Sequence, residues 1–357
     1  ISNSVYLIEQ ILGVGALDPL GASTFLTFGW VGGGCTLRQA VRPIPPGQHW
    51  IWRQGETEPQ RITYCSPADL AGQERRRLTP EYFERLASEL TLPLQSLSEG
   101  FGPVKSALTG GRDSRLIMLL MRQAGLPARY WTAGEPGSRD LEIAAMIAKK
   151  LGLPYHVVHL PGTEVVAHWD ELCWEAVQRN DGMCNLYQMD NLLDVPDELE
   201  RLEVNLWGQG EAARGYATNT DFFLGRKTTA GLRSYLSSKF IKRHSGIVRP
   251  EAVELVENYI LQSVERYHAL GVAPEDIVDI FYLYERIGSR GRCNVRCTMP
   301  AQDLYSPFTS RMFVEAIYSV PVLQRPTEPL HFGLIYLLSP ELHSLPYEKD
   351  NAGFKKS

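Results

Sequence analysis

Apolar and polar residues follow two different rhythms along this chain, and the change falls near residue 79. Before it, Phe25-Leu26-Thr27-Phe28-Gly29-Trp30-Val31 and His49-Trp50-Ile51-Trp52 are aromatic and β-branched, which predicts strands. Pro43-Ile44-Pro45-Pro46-Gly47 marks a turn between them, and the charged Gln73-Glu74-Arg75-Arg76-Arg77 reads as a linker. Beyond the linker, Tyr82, Leu86, Leu90 and Leu94 recur near helical spacing and predict an amphipathic helix over 80–98, kinked or ended early by Pro93. Val104 to Leu108 predicts a strand and Arg115 to Ala124 a helix stopped by Gly125. Ala128 to Thr132 predicts a strand, Asp140 to Leu151 a helix, and Tyr155 to Leu160 another strand. Val204 to Trp207 adds a further strand, and helices are expected to dominate from Ala252 onward. Strands and helices in strict alternation, joined by short connections, predict an α/β fold with a parallel sheet wound by helices.

Composition narrows this only a little. The 357 residues suffice for two domains, or for one large α/β domain with an appendage. A hydrophobic fraction of 44% and a charged fraction of 22% are those of an ordinary globular chain. The net charge of -5 leaves no basic footprint, so no nucleic-acid partner is expected. No segment has the apolar length of a membrane span and no signal-peptide pattern opens the chain, which points to a cytoplasmic protein without a membrane partner. The first residue is Ile1 rather than Met, as at a trimmed boundary. Cys35, Cys65, Cys173, Cys184, Cys293 and Cys297 are scattered, with only the last two close together; reduced, buried thiols are expected rather than a metal site.

Ligands of open parallel sheets bind beyond the carboxyl ends of the strands, and three strand ends here carry suitable residues. The first is Leu108-Thr109-Gly110-Gly111-Arg112-Asp113-Ser114. Paired glycines allow close backbone approach, and a following helix turns its unpaired amides and positive dipole end toward the turn, a natural phosphate site. The motif lacks the Lys of a Walker loop and the third Gly of a Rossmann fingerprint. Backbone amides and the Ser114 hydroxyl suit a pyrophosphate cradle; an ordinary strand-to-helix turn capped by Asp113 and Ser114 is the plainer reading. The second strand end, Thr132-Ala133-Gly134-Glu135-Pro136-Gly137-Ser138-Arg139-Asp140, offers Asp140 either as an acid complementing a helix dipole or as a Mg²⁺ ligand facing the same phosphates. The third, Leu206-Trp207-Gly208-Gln209-Gly210-Glu211, again pairs glycines with a carboxylate. Glu211 there is a further Mg²⁺ candidate or a structural partner of Arg214.

Taken in order, the three motifs resemble the synthetase domain of the asparagine synthetase family. Thr109 to Ser114 is similar to the family's Ser-Gly-Gly-x-Asp-Ser pyrophosphatase-type loop, with Thr in place of the first Ser. Gly134 to Asp140 matches its Gly-x-x-Gly-Ser-x-Asp segment, and Gly208 to Glu211 with Gly215-Tyr216 fits its third motif more loosely. Asp303-Leu304-Tyr305-Ser306-Pro307-Phe308 stands where the family carries Glu-x-Arg-x-Pro-Phe. The resemblance spans about 101 to 320. It implies ATP and Mg²⁺ as cofactors, with Leu108 to Ser114, Thr132 and Gly208 to Gly210 at the nucleotide. It also implies Asp113, Asp140 and Glu211 as metal ligands. Residues 1–75 look like the C-terminal part of a glutaminase-like domain, a β-rich remnant, and 76–357 like the synthetase domain. No cysteine stands at the position of that domain's N-terminal nucleophile, so the amine is expected from a source other than glutamine.

The implied reaction is adenylation of a carboxylate with release of pyrophosphate, then attack by an amine with release of AMP. Lys349 is the candidate for the late lysine of the family, with Glu211, Asp303, Tyr284 and Glu285 as further catalytic candidates. Gln209 stands where asparagine synthetases have Glu, and an amide is no general base. The Thr-Gly-Gly-Arg-Asp-Ser-Arg and Gly-x-Gly-Glu-x-x-Arg-Gly forms look more like the lasso-peptide cyclases, which close a macrolactam between an Asp or Glu side chain of a precursor peptide and its N-terminal amine. Tyr282, Tyr284, Glu285, Arg290, Arg292 and Arg296 are candidates to line such a peptide pocket, with structural pairing as the alternative. A leader peptidase and a leader-binding protein would be partners. A glutamine-dependent asparagine synthetase, a β-lactam synthetase-like enzyme and a non-catalytic nucleotide-binding scaffold are the alternatives.

Overall fold

The computed structural model describes residues 1–13, 15–100, 104–158, 169–185, 204–208, 227–242, 248–293, 295 and 303–348. Internal packing divides the chain into two units, one of residues 1–73, 168–192 and 216–297 and the other of 74–167, 193–215 and 298–357.

The first unit opens with α1 (Val5–Leu12) and α2 (Pro19–Phe28). The strand expected over Phe25 to Val31 is therefore helical as far as Phe28. Capping outweighs β-propensity here. The Asp18 carboxylate accepts the Gly21 amide at 2.8 Å, Pro19 occupies the first turn, and Gly29 closes the helix in the left-handed region at φ 87°. The buried Thr27 hydroxyl donates back to the Ser23 carbonyl at 2.8 Å, so a β-branched residue is accommodated inside the helix. Next come β1 (Gln48–Ile51) and β2 (Gln60–Thr63), an antiparallel pair in which Gln48 faces Thr63, followed by the short α3 (Pro67–Ala71). Among the described residues of 1–75 the expected β-rich character is limited to that hairpin and two isolated bridges, Leu17 with Arg38 and Trp30 with Cys184.

The second unit begins with α4 (Pro80–Gly100). Pro93 lies inside this helix and does not end it. The missing amide costs one bond to the carbonyl four residues back, but Leu86, Leu90 and Leu94 form one buried stripe that continues across the proline. Then follow β3 (Val104–Ala107), α5 (Arg112–Gln123), β4 (Ala128–Ala133), α6 (Arg139–Leu151) and β5 (Tyr155–Val158). Helix α5 starts three residues before the predicted Arg115, because its polar first turn carries no apolar periodicity. With β6 (Val204–Leu206) and β7 (Asp303–Tyr305) these strands form a sheet of order β5-β4-β3-β6-β7, parallel at every pairing. The predicted wound parallel sheet is present. Strand β7, three residues long, is too short to announce itself by pattern and falls where helices were expected to dominate.

Between these strands, α7 (Trp169–Asn180), α8 (Thr229–Phe240), α9 (Pro250–Ala269) and α10 (Pro274–Phe281) belong to the first unit. Helix α10 runs directly into a π-helix over Tyr282–Gly291. The second unit closes with α11 (Arg311–Ser319), α12 (Pro329–Leu338) and α13 (Pro340–His343). No helix among the described residues is long and apolar enough to cross a membrane. The five described cysteines are free thiols.

Candidate functional site

Strand β3 comes first in the sequence among the five strands yet lies in the middle of the sheet, with β4 and β5 added on one side and β6 and β7 on the other. The winding direction reverses between β3 and β6, and a crevice opens beyond the carboxyl ends of strands at such a reversal. The first motif leaves β3 at this point and the third leaves β6. The topology thus brings them side by side.

The loop is held from both ends. Leu108, fully buried, donates its amide to the Trp131 carbonyl at 2.8 Å, and its own carbonyl accepts the Thr132 hydroxyl. The Tyr155 hydroxyl in turn donates to Thr132 Oγ1 at 3.0 Å. Leu108 and Thr132 are thus anchors under the loop. The Ser114 hydroxyl accepts the Thr109 amide at 3.0 Å, and Thr109 Oγ1 accepts the Gly111 amide at 3.0 Å. Asp140, in the first turn of α6, accepts the Gly110 amide at 2.7 Å. Three consecutive amides of the loop therefore each donate to a side-chain oxygen of the chain itself, which fixes the loop's conformation. Gly111 is the N-cap of α5 and supplies no capping side chain, which leaves the first turn of that helix to a ligand.

The glycines are demanded by space. A Cβ on Gly110 would lie 3.0 Å from both Asp140 Oδ1 and Ile143 Cδ1, and 3.1 Å from Glu348 Cβ. A Cβ on Gly208, just past β6, would lie 2.9 Å from Asp113 Cβ. Both positions are closed to a side chain without moving a carboxylate of the site.

Helix α12 meets the first turn of α5. Glu328 ion-pairs with Arg112, and His331 Nε2 lies 3.1 Å from Asp113 Oδ1. Arg115, one turn along and fully buried, donates to the carbonyls of Leu342 at 2.7 Å and Pro346 at 2.8 Å and stacks over the Tyr347 ring. Burial holds the Arg115 guanidinium below its ordinary value. The segment so anchored ends with the Glu348 amide donating to the Gly110 carbonyl at 3.0 Å. Sequence reasoning passed over Arg115, Glu328 and His331. Arg115 read as one more helix residue, and nothing in the spacing of the other two ties them to a loop two hundred residues away.

Of the predicted site residues, Leu108 to Ser114, Thr132, Asp140 and Gly208 gather at this crevice. Asp303 does not. Parallel register pairs it with Val204, at the amino end of an edge strand, exposed, whereas the crevice lies at the other end. Tyr284 and Glu285 belong to the π-helix of the first unit. There the Tyr284 hydroxyl donates to the Cys65 carbonyl at 3.2 Å, and burial pushes its pKa upward. Glu285 is buried, accepts the Gly33 amide at 3.1 Å and the Tyr259 hydroxyl, and burial raises its carboxyl above the ordinary range. Tyr282, Arg290 and Arg292 lie on the same unit, Arg292 with its pKa lowered by burial. Gln209, Gly210, Glu211, Arg296 and Lys349 lie outside the described residues.

The donor set fits Mg²⁺ by chemistry: Asp113 and Asp140 offer hard carboxylate oxygens from the first turns of two neighbouring helices, and such an ion is completed by phosphate oxygens and water. Asp140 Oδ1 accepts the Gly110 amide, and Asp113 Oδ1 lies 3.1 Å from His331 Nε2. Among the described residues no group of three or more His, Cys, Asp or Glu side chains forms a ready-made metal cluster. A pocket of about 510 Å³ lined by Leu119, Arg122 and Gln123 sits at the opposite end of α5 and has none of this chemistry.

Residues 94–210 match the asparagine synthase family. That stretch contains the loop after β3, Asp140 and Gly208. No curated protein matches the sequence. Among solved structures the chain is similar to the NMN synthetase from Francisella tularensis, at 14% identity over 62% of this chain and 94% of that one, with a TM-score of 0.29. It is also similar to the NH3-dependent NAD synthetase from Campylobacter jejuni subsp. jejuni in complex with the nitrate ion, at 13% identity over 50% of this chain and 93% of that one, with a TM-score of 0.26.

Proposed function

We propose that this protein is an ATP-dependent, amide-forming ligase that releases pyrophosphate and AMP, and that its substrate is a precursor peptide closed to a macrolactam. The observation that carries this reading is the crevice between β3 and β6, where the glycine loop leaving β3 leads into the N-terminus of α5, whose N-cap Gly111 supplies no capping side chain. The match of residues 94–210 to the asparagine synthase family supports the reaction class.

In this mechanism the first turn of α5 receives the β- and γ-phosphates of ATP, and the helix dipole stabilises the charge that grows on the departing pyrophosphate. Asp113 and Asp140 would hold Mg²⁺, which supplies further neutralisation of that charge. A side-chain carboxylate of the peptide attacks the α-phosphate, and the resulting acyl-adenylate is captured by the peptide's own N-terminal amine. Gln209 offers no general base. An amine carried by the substrate itself meets that condition, since tethering replaces much of the work of base catalysis.

The test is incubation with ATP, Mg²⁺ and linear peptides bearing a free N-terminal amine and an internal Asp or Glu. The expected products are AMP, pyrophosphate and a peptide lighter by one water. Formation of ADP, or no nucleotide turnover while ATP still binds, would overturn the ligase reading and favour a nucleotide-binding scaffold. Turnover with free aspartate and glutamine would overturn the peptide assignment alone.

A further inference from the structure

We propose that residues 345–348 are a strap that locks the glycine loop, and that Arg115 is a positioning residue for the nucleotide acting through it; this rests on the reading of the β3–β6 crevice as an ATP site. Gly110 and Gly111 share one peptide unit, and two adjacent glycines leave its plane little sterically hindered from rotating. Two hydrogen bonds hold that plane. On one edge the Gly110 carbonyl accepts the Glu348 amide at 3.0 Å. On the other the Gly111 amide donates to Thr109 Oγ1 at 3.0 Å. A trans peptide points its carbonyl and its N–H in opposite directions, so the two partners clamp one plane from its two sides. Gly111 is the N-cap of α5, and this plane sets how the chain enters the helix. Turned over, it would lose both bonds and aim a carbonyl oxygen where the amide now stands, bringing the negative end of a dipole to a loop that is to receive phosphates.

The strap is neither helix nor strand, and its path is set from α5. Arg115, fully buried, donates to the carbonyls of Leu342 at 2.7 Å and Pro346 at 2.8 Å, on either side of the bend that leaves α13. Its guanidinium carbon lies 3.9 Å from the centroid of the Tyr347 ring. A planar fork held by two carbonyls and one ring face has a single orientation, which an ammonium would not keep. Glu348 follows Tyr347 directly, so the residue that reaches the Gly110 carbonyl is bonded to the residue stacked on Arg115. The fit is close: a Cβ on Gly110 would lie 3.1 Å from Glu348 Cβ. Arg115 stands on the same first turns of α5 whose N-terminus faces the crevice. Loop, helix start and strap thus form one closed ring of contacts.

A double-mutant cycle read by calorimetric binding of Mg·ATP tests this. Glu348→Pro, which removes the donated amide, is expected to weaken binding about tenfold, the order of one hydrogen bond. Glu348→Ala, which keeps the amide, is expected to lose far less. Arg115→Lys is expected to weaken binding about fivefold in the wild type and to cost nothing further in Glu348→Pro, because its effect runs through that bond. Equal losses from Ala and Pro at position 348, or additive losses from Arg115→Lys and Glu348→Pro, would make the strap a packing element only and overturn the proposal. Hydrogen exchange of the wild type gives a second arm that needs no variant to fold: the Glu348 amide is expected to exchange roughly tenfold more slowly with Mg·ATP bound. Exchange there that ignores bound nucleotide would also overturn it. Absence of Mg·ATP binding to the wild type would instead overturn the ATP site itself.

Discussion

At Gly110 a side chain has nowhere to go, and the reason is chemical as much as steric. Its amide needs the Asp140 carboxylate, and a Cβ at 3.0 Å from the same oxygen would push that carboxylate away. Gly110→Ala is therefore expected to weaken Mg·ATP binding at least tenfold, while changing the melting temperature by no more than a few degrees; equal affinity for both chains would remove Gly110 from the site. A second residue-scale consequence concerns Glu285. Burial raises its carboxyl above the ordinary 4.5, so the folded chain holds a proton that the unfolded chain has released. Stability then falls as pH rises from that ordinary value through the raised one, and is fully present below it. Glu285→Gln, which keeps an acceptor for the Gly33 amide, is expected to melt at or above the wild type at pH 7 and to lose this advantage near pH 4. Thermal melts across that range decide it, and a parallel pH dependence in both chains would show that Glu285 is not the titrating group. At this scale the loop residues were legible, because glycines beside an acid and a hydroxyl carry their chemistry locally. Arg115, His331 and Glu328 were not, since their partners are set by tertiary packing that no local pattern encodes.

The elements show where periodicity speaks and where it is silent. The stripe Leu86, Leu90 and Leu94 announced α4, and the alternation from Val104 to Val158 announced the wound sheet. Capping overrode the β-branched and aromatic signal at Phe25 to Phe28, and burial overrode Pro93. Pro93 inside α4 still forfeits a backbone bond, so Pro93→Ala is expected to stabilise the protein by about 1–3 kcal/mol, seen as a higher urea midpoint. An unchanged or lower midpoint would mean that the helix is already bent to suit the proline. The segment after α13 depends on Arg115, whose fork holds the Leu342 and Pro346 carbonyls. Arg115→Lys keeps the charge but loses that fork and the stack on Tyr347, so faster hydrogen exchange over 342–348 is expected, with α6 unchanged. Unaltered exchange there would show that the segment is held by other contacts.

At the scale of the whole molecule, strand order is what turns separate motifs into one site. The sequence showed three strand ends with suitable residues; it could not show that β3 is central, that β6 lies directly beside it, or that parallel register leaves Asp303 at the amino end of β7, away from the crevice. The π-helix that carries Tyr284 and Glu285 was equally invisible, because its extra residue per turn depends on backbone bonding that apolar spacing does not report. The central claim is that the β3–β6 crevice receives the pyrophosphate part of ATP. It is tested most directly by calorimetric titration of Mg·ATP, with Mg·pyrophosphate as competitor, into the wild type and Gly208→Ala, whose added Cβ falls 2.9 Å from Asp113 Cβ. The expected result is one site per chain, displaced by pyrophosphate and weakened at least tenfold in a normally folded Gly208→Ala. Tight ATP binding that ignores both pyrophosphate and the substitution would contradict it.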